Sequence, residues 1–174
     1  MKKALSAIKA DIPVRYHGQE VLLRPLQATR DDWFFTWSLR TSARGMAASR
    51  CKDSFSYERH LEWVAEFERN PRQGIFLVTL EGLHGQRVGY GNIKEKSIDE
   101  CELSYMISQQ AEGSGLGTFL VGELCHIALE AYHYSKAKAV TLTHNLVSRR
   151  ILLKNQFERG DEYVADCEVY RKAL

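Results

Sequence analysis

A nine-residue stretch, Gln110-Ala-Glu-Gly-Ser-Gly-Leu-Gly-Thr118, places three glycines between a strand-like segment at residues 102–107 and a helical pattern that starts near Leu116. Glycine lets the backbone turn sharply and exposes its N–H groups, because it has no Cβ to cover them. The helix that follows adds unpaired first-turn N–H groups and the positive end of its dipole. The stretch therefore predicts a seat for an anion, most often a phosphate, although a glycine-rich connection can also be a simple turn.

Two common phosphate loops do not fit this stretch. A dinucleotide-binding loop, Gly-x-Gly-x-x-Gly, needs a third glycine where Thr118 stands. A nucleoside-triphosphate loop ends in Gly-Lys-Ser/Thr, and the stretch contains no lysine. The remaining pattern is Gln/Arg-x-x-Gly-x-Gly, present here as Gln110, Gly113 and Gly115. In this pattern the chain resembles the pyrophosphate loop of the GNAT superfamily of acyl-CoA-dependent N-acetyltransferases.

The resemblance continues on both sides of the loop, over roughly residues 20 to 172. Downstream, the family has an Asn-x-x-Ser/Ala motif and then a Gly-Phe pair, and the chain has Asn145, Ser148 and Phe157, with Gln156 in place of the glycine. Upstream, residues 102–105 resemble the family's Glu-Ile-Gly-Tyr strand, with serine replacing its glycine. The ribosomal-protein N-terminal and amino-sugar-nucleotide acetyltransferases are the branches that the chain resembles.

The order of strand-like and helical segments predicts an α+β (mixed α/β) fold of the GNAT type. We expect a central, mostly antiparallel twisted sheet of about six to seven strands, flanked by about four helices. Strands are predicted at residues 20–26, 75–80, 87–94, 101–107 and 138–143 and within 157–170, and helices from residue 29, at 57–69, from 116 and at 147–154. Residues 1–174 are predicted to form a single acetyltransferase domain, with residues 1–18 as an N-terminal extension.

Three local features refine this prediction. Thr29-Arg-Asp-Asp32 has the spacing of a capping box with Asp in place of Glu. Residues 40–56 are expected to be a loop that carries Arg40 and Arg44. The helix at 57–69 is expected to turn Leu61, Val64 and Ala65 toward the core.

Composition excludes several classes of protein. The formal charge of +2 gives no argument for nucleic-acid binding, and no apolar run approaches the ~18 residues of a membrane span. The four cysteines have neither zinc-site nor disulfide spacing. We therefore expect a cytoplasmic protein with free thiols and no metal, as a monomer or a homodimer.

The resemblance implies two catalytic residues. Glu102 would take the proton of the attacking amine, although a strand glutamate paired with a cation is an equally ordinary role. Ser148 would protonate the leaving thiolate, because the tyrosine that many relatives place seven residues after the motif asparagine is Leu152 here. Asn145 and Ser148 can also serve simply as the N-cap and N3 residues of a helix.

The resemblance also implies acetyl-CoA as co-substrate. The backbone of Met106, Ile107 and Ser108 would bind pantetheine, and Asn145 would contact the cofactor or a bound water. The pyrophosphate would lie on Gln110, Gly113, Ser114, Gly115, Leu116, Gly117 and Thr118. Residues 97–135 carry six acidic side chains and no Lys or Arg. Cations for the 3′-phosphate must then come from elsewhere, and the family resemblance implies Arg149, with Arg150 and Lys154, on the next helix.

The sequence thus predicts an acetyl-CoA-dependent N-acetyltransferase in which the amine attacks directly within a ternary complex. The acceptor is expected to be a small molecule, such as an amino-sugar nucleotide, or a protein N-terminus. The alternative is a catalytically lapsed acyl-CoA-binding or interaction module with the same fold. The missing tyrosine favours this alternative, and the retained glycines with Glu102, Asn145 and Ser148 favour the enzyme.

Overall fold

The computed structural model describes residues 8, 10–49, 55–80 and 86–174. Within these ranges eight strands and five α-helices form, together with a 3-10 turn at Gln109–Ala111. In chain order they are β1 (Ile12–Tyr16), β2 (Gln19–Pro25), α1 (Arg30–Thr41), α2 (Ala43–Ala48), α3 (Tyr57–Glu68), β3 (Gly74–Leu80), β4 (Gln86–Glu95), β5 (Glu100–Ile107), α4 (Leu116–Glu130), β6 (Lys136–Leu142), α5 (Leu146–Lys154), β7 (Glu158–Arg159) and β8 (Cys167–Ala173). No helix in the described part of the chain is both long and apolar enough to cross a lipid bilayer.

All eight strands belong to one sheet, in the order β1-β2-β3-β4-β5-β6-β8-β7. Every neighbouring pair is antiparallel except β5 and β6, which run parallel. A parallel pair needs a crossover connection, and here α4 lies in the connection between β5 and β6. The predicted mixed fold with a mostly antiparallel sheet is therefore confirmed.

Two elements were not expected from the sequence. Strand β1 lies in the predicted N-terminal extension and pairs with β2, with Val14 opposite Val21. Helix α2 lies within residues 40–56, which were expected to be a loop. Its six residues are too short for a periodicity signal, and the Ser42 hydroxyl caps it by accepting a hydrogen bond from the Gly45 N–H.

The predicted capping box forms only half of its contacts. Thr29 Oγ1 accepts the Asp32 N–H at 3.3 Å, as expected. The Asp32 carboxylate does not return to Thr29; it accepts the Gln27 N–H at 3.0 Å and two hydrogen bonds from Arg24, at 2.6 and 2.8 Å. Arg87 of β4 lies 2.9 Å from the same carboxylate. The buried Asp32 therefore joins α1 to the sheet through ion pairs with two partly exposed arginines.

The inner face of α3 also differs from the prediction. The helix buries His60, Val64 and Phe67, whereas Leu61 and Ala65 are only partly buried. The prediction failed because a histidine is usually assigned to the surface. Here His60 is 0% exposed.

The sheet separates two hydrophobic cores. On one face, α4 packs Leu116, Leu120 and Leu124 against a large core that includes Leu103 of β5. On the other face, α1 and α3 cover a smaller core of Val64, Phe67, Ile75, Leu77 and Tyr90, against which Met106 packs. Successive side chains of a strand alternate between the two faces. The odd-numbered side chains of β5 therefore face α4, and Glu102, Ser104 and Met106 face α1 and α3.

Candidate active site

The sheet opens between β5 and β6. The two strands pair only through Glu100–Glu102 and Lys136–Lys138, and beyond these residues they are not paired with each other. A cleft of about 2030 Å³ occupies this opening, and its lining includes residues 102–107 of β5 and residues 139–141 of β6. We call the opening the sheet gap. A gap of this kind leaves strand edges without partners, so their polar groups are available to a ligand.

The register of β4 and β5 decides which backbone groups face the sheet gap. The Ser108 N–H donates to Val88 O at 2.8 Å, and at the other end the Lys96 N–H donates to Glu100 O at 3.0 Å. Hydrogen-bonded pairs alternate along an antiparallel ladder. The even-numbered residues of β5 therefore bond to β4, and Leu103, Tyr105 and Ile107 direct their N–H and C=O groups toward β6.

This register changes the predicted pantetheine contacts. Met106, Ile107 and Ser108 all line the cleft. However, the Ser108 N–H donates to β4, and the backbone of Met106, another even-numbered residue, faces β4 as well. Of the three, only Ile107 offers its backbone to the sheet gap, and Tyr105 joins it. Alternation along a strand would have grouped Tyr105 with Ile107, but the sequence does not show which of the two alternating sets of backbone groups faces β6.

The glycine stretch forms the phosphate seat, which we define as residues 113–118. Gly113 and Gly115 have left-handed backbone conformations, with φ of 75° and 84°. Within the described part of the chain, the N–H groups of Gly113, Ser114, Gly115 and Gly117 have no acceptor, and those of Leu116 and Thr118 bond within the turn. Such a row of free N–H groups at a helix N-terminus suits an anion.

The sequence-predicted residues of this loop do not all face the cleft. Gln110, Gly113, Gly115, Leu116, Gly117 and Thr118 line it. Ser114 does not, because its hydroxyl turns back and donates to Ala111 O at 2.6 Å. Gln110 lies at the rim, where its Oε1 accepts a hydrogen bond from Gln86 at 3.2 Å.

Strand β1 supports the phosphate seat from behind. Tyr16 Oη donates to Ser114 O at 2.5 Å, and its ring packs against Phe119 with the ring centres 4.8 Å apart. A Cβ built on Gly115 would lie 2.4 Å from Tyr16 Oη. Gly115 is therefore favoured by its backbone conformation, and a side chain at this position would also displace the Tyr16 hydroxyl.

Glu102 enters the cleft from the α1–α3 face of β5. Its side chain is 16% exposed, and the Lys96 ammonium lies 3.5 Å from one carboxylate oxygen. It is thus both a cleft residue and a member of an ion pair. Glu100, two residues earlier on the same face, pairs with Arg171 at 3.2 Å and does not line the cleft.

Ser148 approaches the sheet gap from the opposite side, at the start of α5. Asn145 caps this helix as predicted, since its Oδ1 accepts the Ser148 N–H at 3.1 Å. The Ser148 hydroxyl lies 3.0 Å from Tyr105 Oη, a residue that sequence reasoning did not select. Leu152 is 1% exposed and belongs to the large core.

Arg149 is not brought into the cleft with the other predicted residues. Its guanidinium lies 2.9 Å from the Glu168 carboxylate and donates to Thr143 O at 3.2 Å. Arg150 and Lys154 line the cleft instead. The helical period of 3.6 separates Arg149 from these two residues, but the sequence does not reveal which face of α5 turns toward the cleft.

The six acidic residues of segment 97–135 are largely compensated by basic residues from outside it. Four of them form ion pairs, Asp99 with Lys136, Glu100 with Arg171, Glu102 with Lys96 and Glu112 with Arg44. The Arg44–Glu112 pair, at 2.5 Å, joins α2 to the residue that precedes the phosphate seat. An anionic ligand would therefore not face six uncompensated negative charges from this segment.

The other half of the cleft is lined by two aromatic residues, Phe35 and Trp63, together with Leu39 and Arg40. We call these four residues the aromatic wall. The Arg40 guanidinium stacks between Phe55 and Trp63, 4.1 and 4.3 Å from the two ring centres. Behind the wall, His60 Nε2 lies 2.9 Å from Thr36 Oγ1. Burial, with the nearby positive charge of Arg40, lowers the pKa of His60 to about 4. His60 is therefore neutral at physiological pH and acts as a packing residue.

No cluster of three or more His, Cys, Asp or Glu side chains within residues 10–49, 55–80 and 86–174 is arranged to hold a metal ion. Cys101, Cys125 and Cys167 are free thiols in the described residues, and Cys51 lies outside them. Burial raises the pKa of Cys101 to about 12. It is therefore a protonated core residue and a poor nucleophile.

Solved structures with the same fold are numerous, but they are distant in sequence. The N-acetyltransferase PseH of Campylobacter jejuni, solved in complex with acetyl coenzyme A, is 17% identical, with a TM-score of 0.68 over 88% of this chain and 98% of its own. A domain from Methanocaldococcus jannaschii is 20% identical, with a TM-score of 0.76 over 90% and 99% of the two chains. The spermidine N-acetyltransferase of Vibrio cholerae, solved with CoA and spermine, is 16% identical, with a TM-score of 0.73 over 87% and 92%.

Sequence comparison gives a family but no close relative. No curated protein matches the chain. The family model described as an acetyltransferase (GNAT) domain matches residues 20–158, which include the sheet gap, the phosphate seat and both predicted catalytic residues. This chain belongs to the GNAT acetyltransferase family.

Proposed function

We propose that this protein is an acetyl-CoA-dependent N-acetyltransferase that acetylates a primary amine by direct attack in a ternary complex. The observation that carries the proposal is the continuity of one cleft. It runs from the phosphate seat, through the unpaired edge of β5, to the aromatic wall on the other side of the sheet. A cleft that passes through the sheet allows two substrates to meet from opposite faces.

The cofactor half supports acetyl-CoA as co-substrate. The free N–H groups of the phosphate seat suit a pyrophosphate. Arg150 and Lys154 are the cations of α5 that line the cleft, and they would reach a further phosphate. The backbone of Tyr105 and Ile107 would pair with the amides of pantetheine, as an added strand would. Bound acetyl-CoA would supply the activated acetyl group as a thioester.

The acceptor half supports Glu102 as the base. Its carboxylate lies on the α1–α3 face, where the aromatic wall would hold the acceptor. A carboxylate there can take the proton from the amine, directly or through one water. Ser148 approaches from the α4–α5 side, so the proton acceptor and the proton donor lie on opposite sides of the sheet gap.

For the acceptor, we propose a primary amine on a small molecule, such as an amino-sugar nucleotide, or on a protein N-terminus. The volume of the cleft, about 2030 Å³, is compatible with either class. The spermidine N-acetyltransferase of Vibrio cholerae has the same fold and acts on a polyamine, so the fold alone does not select the acceptor.

The test is release of free CoA from acetyl-CoA with a panel of amino-sugar nucleotides, peptides with free N-termini and polyamines. Glu102→Gln is expected to lower kcat/KM for the amine by ~10²–10⁴, while the affinity for acetyl-CoA stays within about twofold. Glu100→Gln is the matched control, because it removes a carboxylate from the same face of the same strand outside the cleft. If Glu102→Gln retains more than about a third of the activity, Glu102 is a structural ion-pair partner.

The lapsed-module alternative makes a different prediction in the same experiment. A protein that binds acetyl-CoA by calorimetry but releases CoA with no amine of the panel would favour a binding module. A protein that neither binds acetyl-CoA nor turns it over would contradict both functions.

A further inference from the structure

The structure provides a substitute for the tyrosine that is missing from α5. Relatives that place a tyrosine seven residues after the motif asparagine use it to protonate the leaving thiolate, and Leu152 occupies that position. Leu152 is buried in the core and has no proton to give. The cleft nevertheless contains a tyrosine from a different element, Tyr105 of β5, which lies on the opposite wall of the sheet gap.

Tyr105 and Ser148 are in hydrogen-bond contact. Tyr105 Oη lies 3.0 Å from Ser148 Oγ and 3.4 Å from Ser148 O, although the two residues are 43 positions apart. Among the described residues, Tyr105 is the hydrogen-bond partner of the Ser148 hydroxyl. The capping bond from Ser148 N–H to Asn145 fixes the backbone of this turn, and the contact with Tyr105 involves the hydroxyl itself.

Either hydroxyl can donate in this contact, and the chemistry of the two groups allows Tyr105 to be the donor. Burial raises the pKa of Tyr105 to about 12, so the phenol keeps its proton. A serine hydroxyl can accept one hydrogen bond and donate another at the same time. When Tyr105 donates to Ser148 Oγ, the serine proton is free to point into the sheet gap.

We propose that Tyr105 and Ser148 form a two-hydroxyl relay, in which Tyr105 orients Ser148 and replaces the proton that Ser148 gives to the leaving thiolate. This inference rests on the proposed acetyltransferase function. The amine nitrogen forms a bond to the thioester carbon, the C–S bond breaks, and its electron pair stays on sulfur. Ser148 passes its proton to sulfur, Tyr105 passes its proton to Ser148, and solvent returns a proton to Tyr105. Solvent also receives the proton that the amine loses through Glu102, so protons balance.

The relay predicts a specific pattern of kinetic losses. Because Tyr105 acts through Ser148, Tyr105→Phe is expected to lower kcat about tenfold and Ser148→Ala about a hundredfold, within the range for acid–base groups. KM for acetyl-CoA should change less than about twofold in both variants, since neither hydroxyl is assigned to ground-state binding. The double variant should be no slower than Ser148→Ala alone, because Tyr105 has nothing to act on without Ser148. Ser148→Thr keeps a hydroxyl and should recover most of the activity.

Tyr132→Phe is the matched control. It removes the hydroxyl of a buried tyrosine that donates to Gln73 O at 3.3 Å and does not line the cleft. All variants are assayed for CoA release with the panel amine that the wild type turns over fastest, and the solvent deuterium isotope effect on kcat is measured for each. A relay moves two protons, so Tyr105→Phe should reduce the isotope effect, whereas a packing defect would leave it unchanged.

Three results would overturn the relay while leaving the acetyltransferase function intact. They are losses that multiply in the double variant, a Tyr105→Phe effect confined to KM, and an isotope effect that Tyr105→Phe does not change. A wild-type protein that releases no CoA with any panel amine would instead overturn the proposed function and the relay together.

Discussion

The stability of this protein should fall on mild acidification because of one buried histidine. His60 is 0% exposed and packs between α1 and α3, with its ring stacked against Trp63 at 5.4 Å between centres. Its pKa is about 4 in the folded protein, against 6.5 for an unperturbed histidine. Since the folded pKa is the lower one, the unfolded chain binds more protons, and the free energy of unfolding decreases as pH falls from about 6.5 to about 4.

The magnitude follows from these two pKa values. Near pH 5 the unfolded imidazole is almost fully protonated and the folded one is almost fully neutral. Between the two pKa values, each pH unit lowers the free energy of unfolding by about 1.4 kcal/mol. Near pH 6.5 the loss per unit is smaller, because the unfolded imidazole is only partly protonated there. The expected loss between about pH 7 and about pH 5 is therefore about 2 kcal/mol from His60 alone. This is a large share of the 5–15 kcal/mol typical of a domain, and it would loosen the helices that carry the aromatic wall.

Urea unfolding of the wild type and His60→Gln at the two pH values provides the measurement. Glutamine keeps a donor near Thr36 but does not titrate, and carboxylates that titrate equally in both proteins cancel in the difference. The pH-dependent loss should be smaller in His60→Gln by about 2 kcal/mol. His126→Gln, at an exposed position on α4, is the control and should retain the wild-type pH dependence. A wild type and a His60→Gln variant with equal pH dependence, within about 0.5 kcal/mol, would refute the reasoning.

Two further predictions concern backbone conformation. Gln156, two residues after the end of α5, has a left-handed backbone with φ of 64°, at a position where the family motif has glycine. Gln156→Gly should therefore raise the free energy of unfolding, measured in urea, by about 1 kcal/mol. An unchanged or lower free energy of unfolding would contradict the idea that Gln156 is strained. Gly115→Ala should weaken acetyl-CoA binding about tenfold by calorimetry, because its Cβ meets Tyr16 Oη at 2.4 Å. Gly113 has a similar φ but open space around a built Cβ, so Gly113→Ala should change acetyl-CoA binding less than about threefold. Adding Tyr16→Phe to Gly115→Ala should restore part of the affinity. Equal losses of affinity in Gly113→Ala and Gly115→Ala would show that Tyr16 is not the cause.

The sequence by itself determined the features whose signals are local. The three glycines predicted the turn into α4, Asn145 predicted the start of α5, and the strand and helix periods located most elements within a few residues. These signals are readable because turn chemistry, capping and side-chain alternation depend on residues only a few positions apart.

Only the tertiary structure decided which of these groups meet. The phase of the β4–β5 ladder turned Tyr105 and Ile107 toward the sheet gap and engaged Ser108 elsewhere. The rotation of α5 selected Arg150 and Lys154 over Arg149. Contacts across long sequence separations then joined Tyr105 to Ser148, Tyr16 to the phosphate seat, and Asp32 to Arg87. Such contacts depend on strand register and helix packing, which are set by the burial of whole faces, so no short stretch of sequence specifies them.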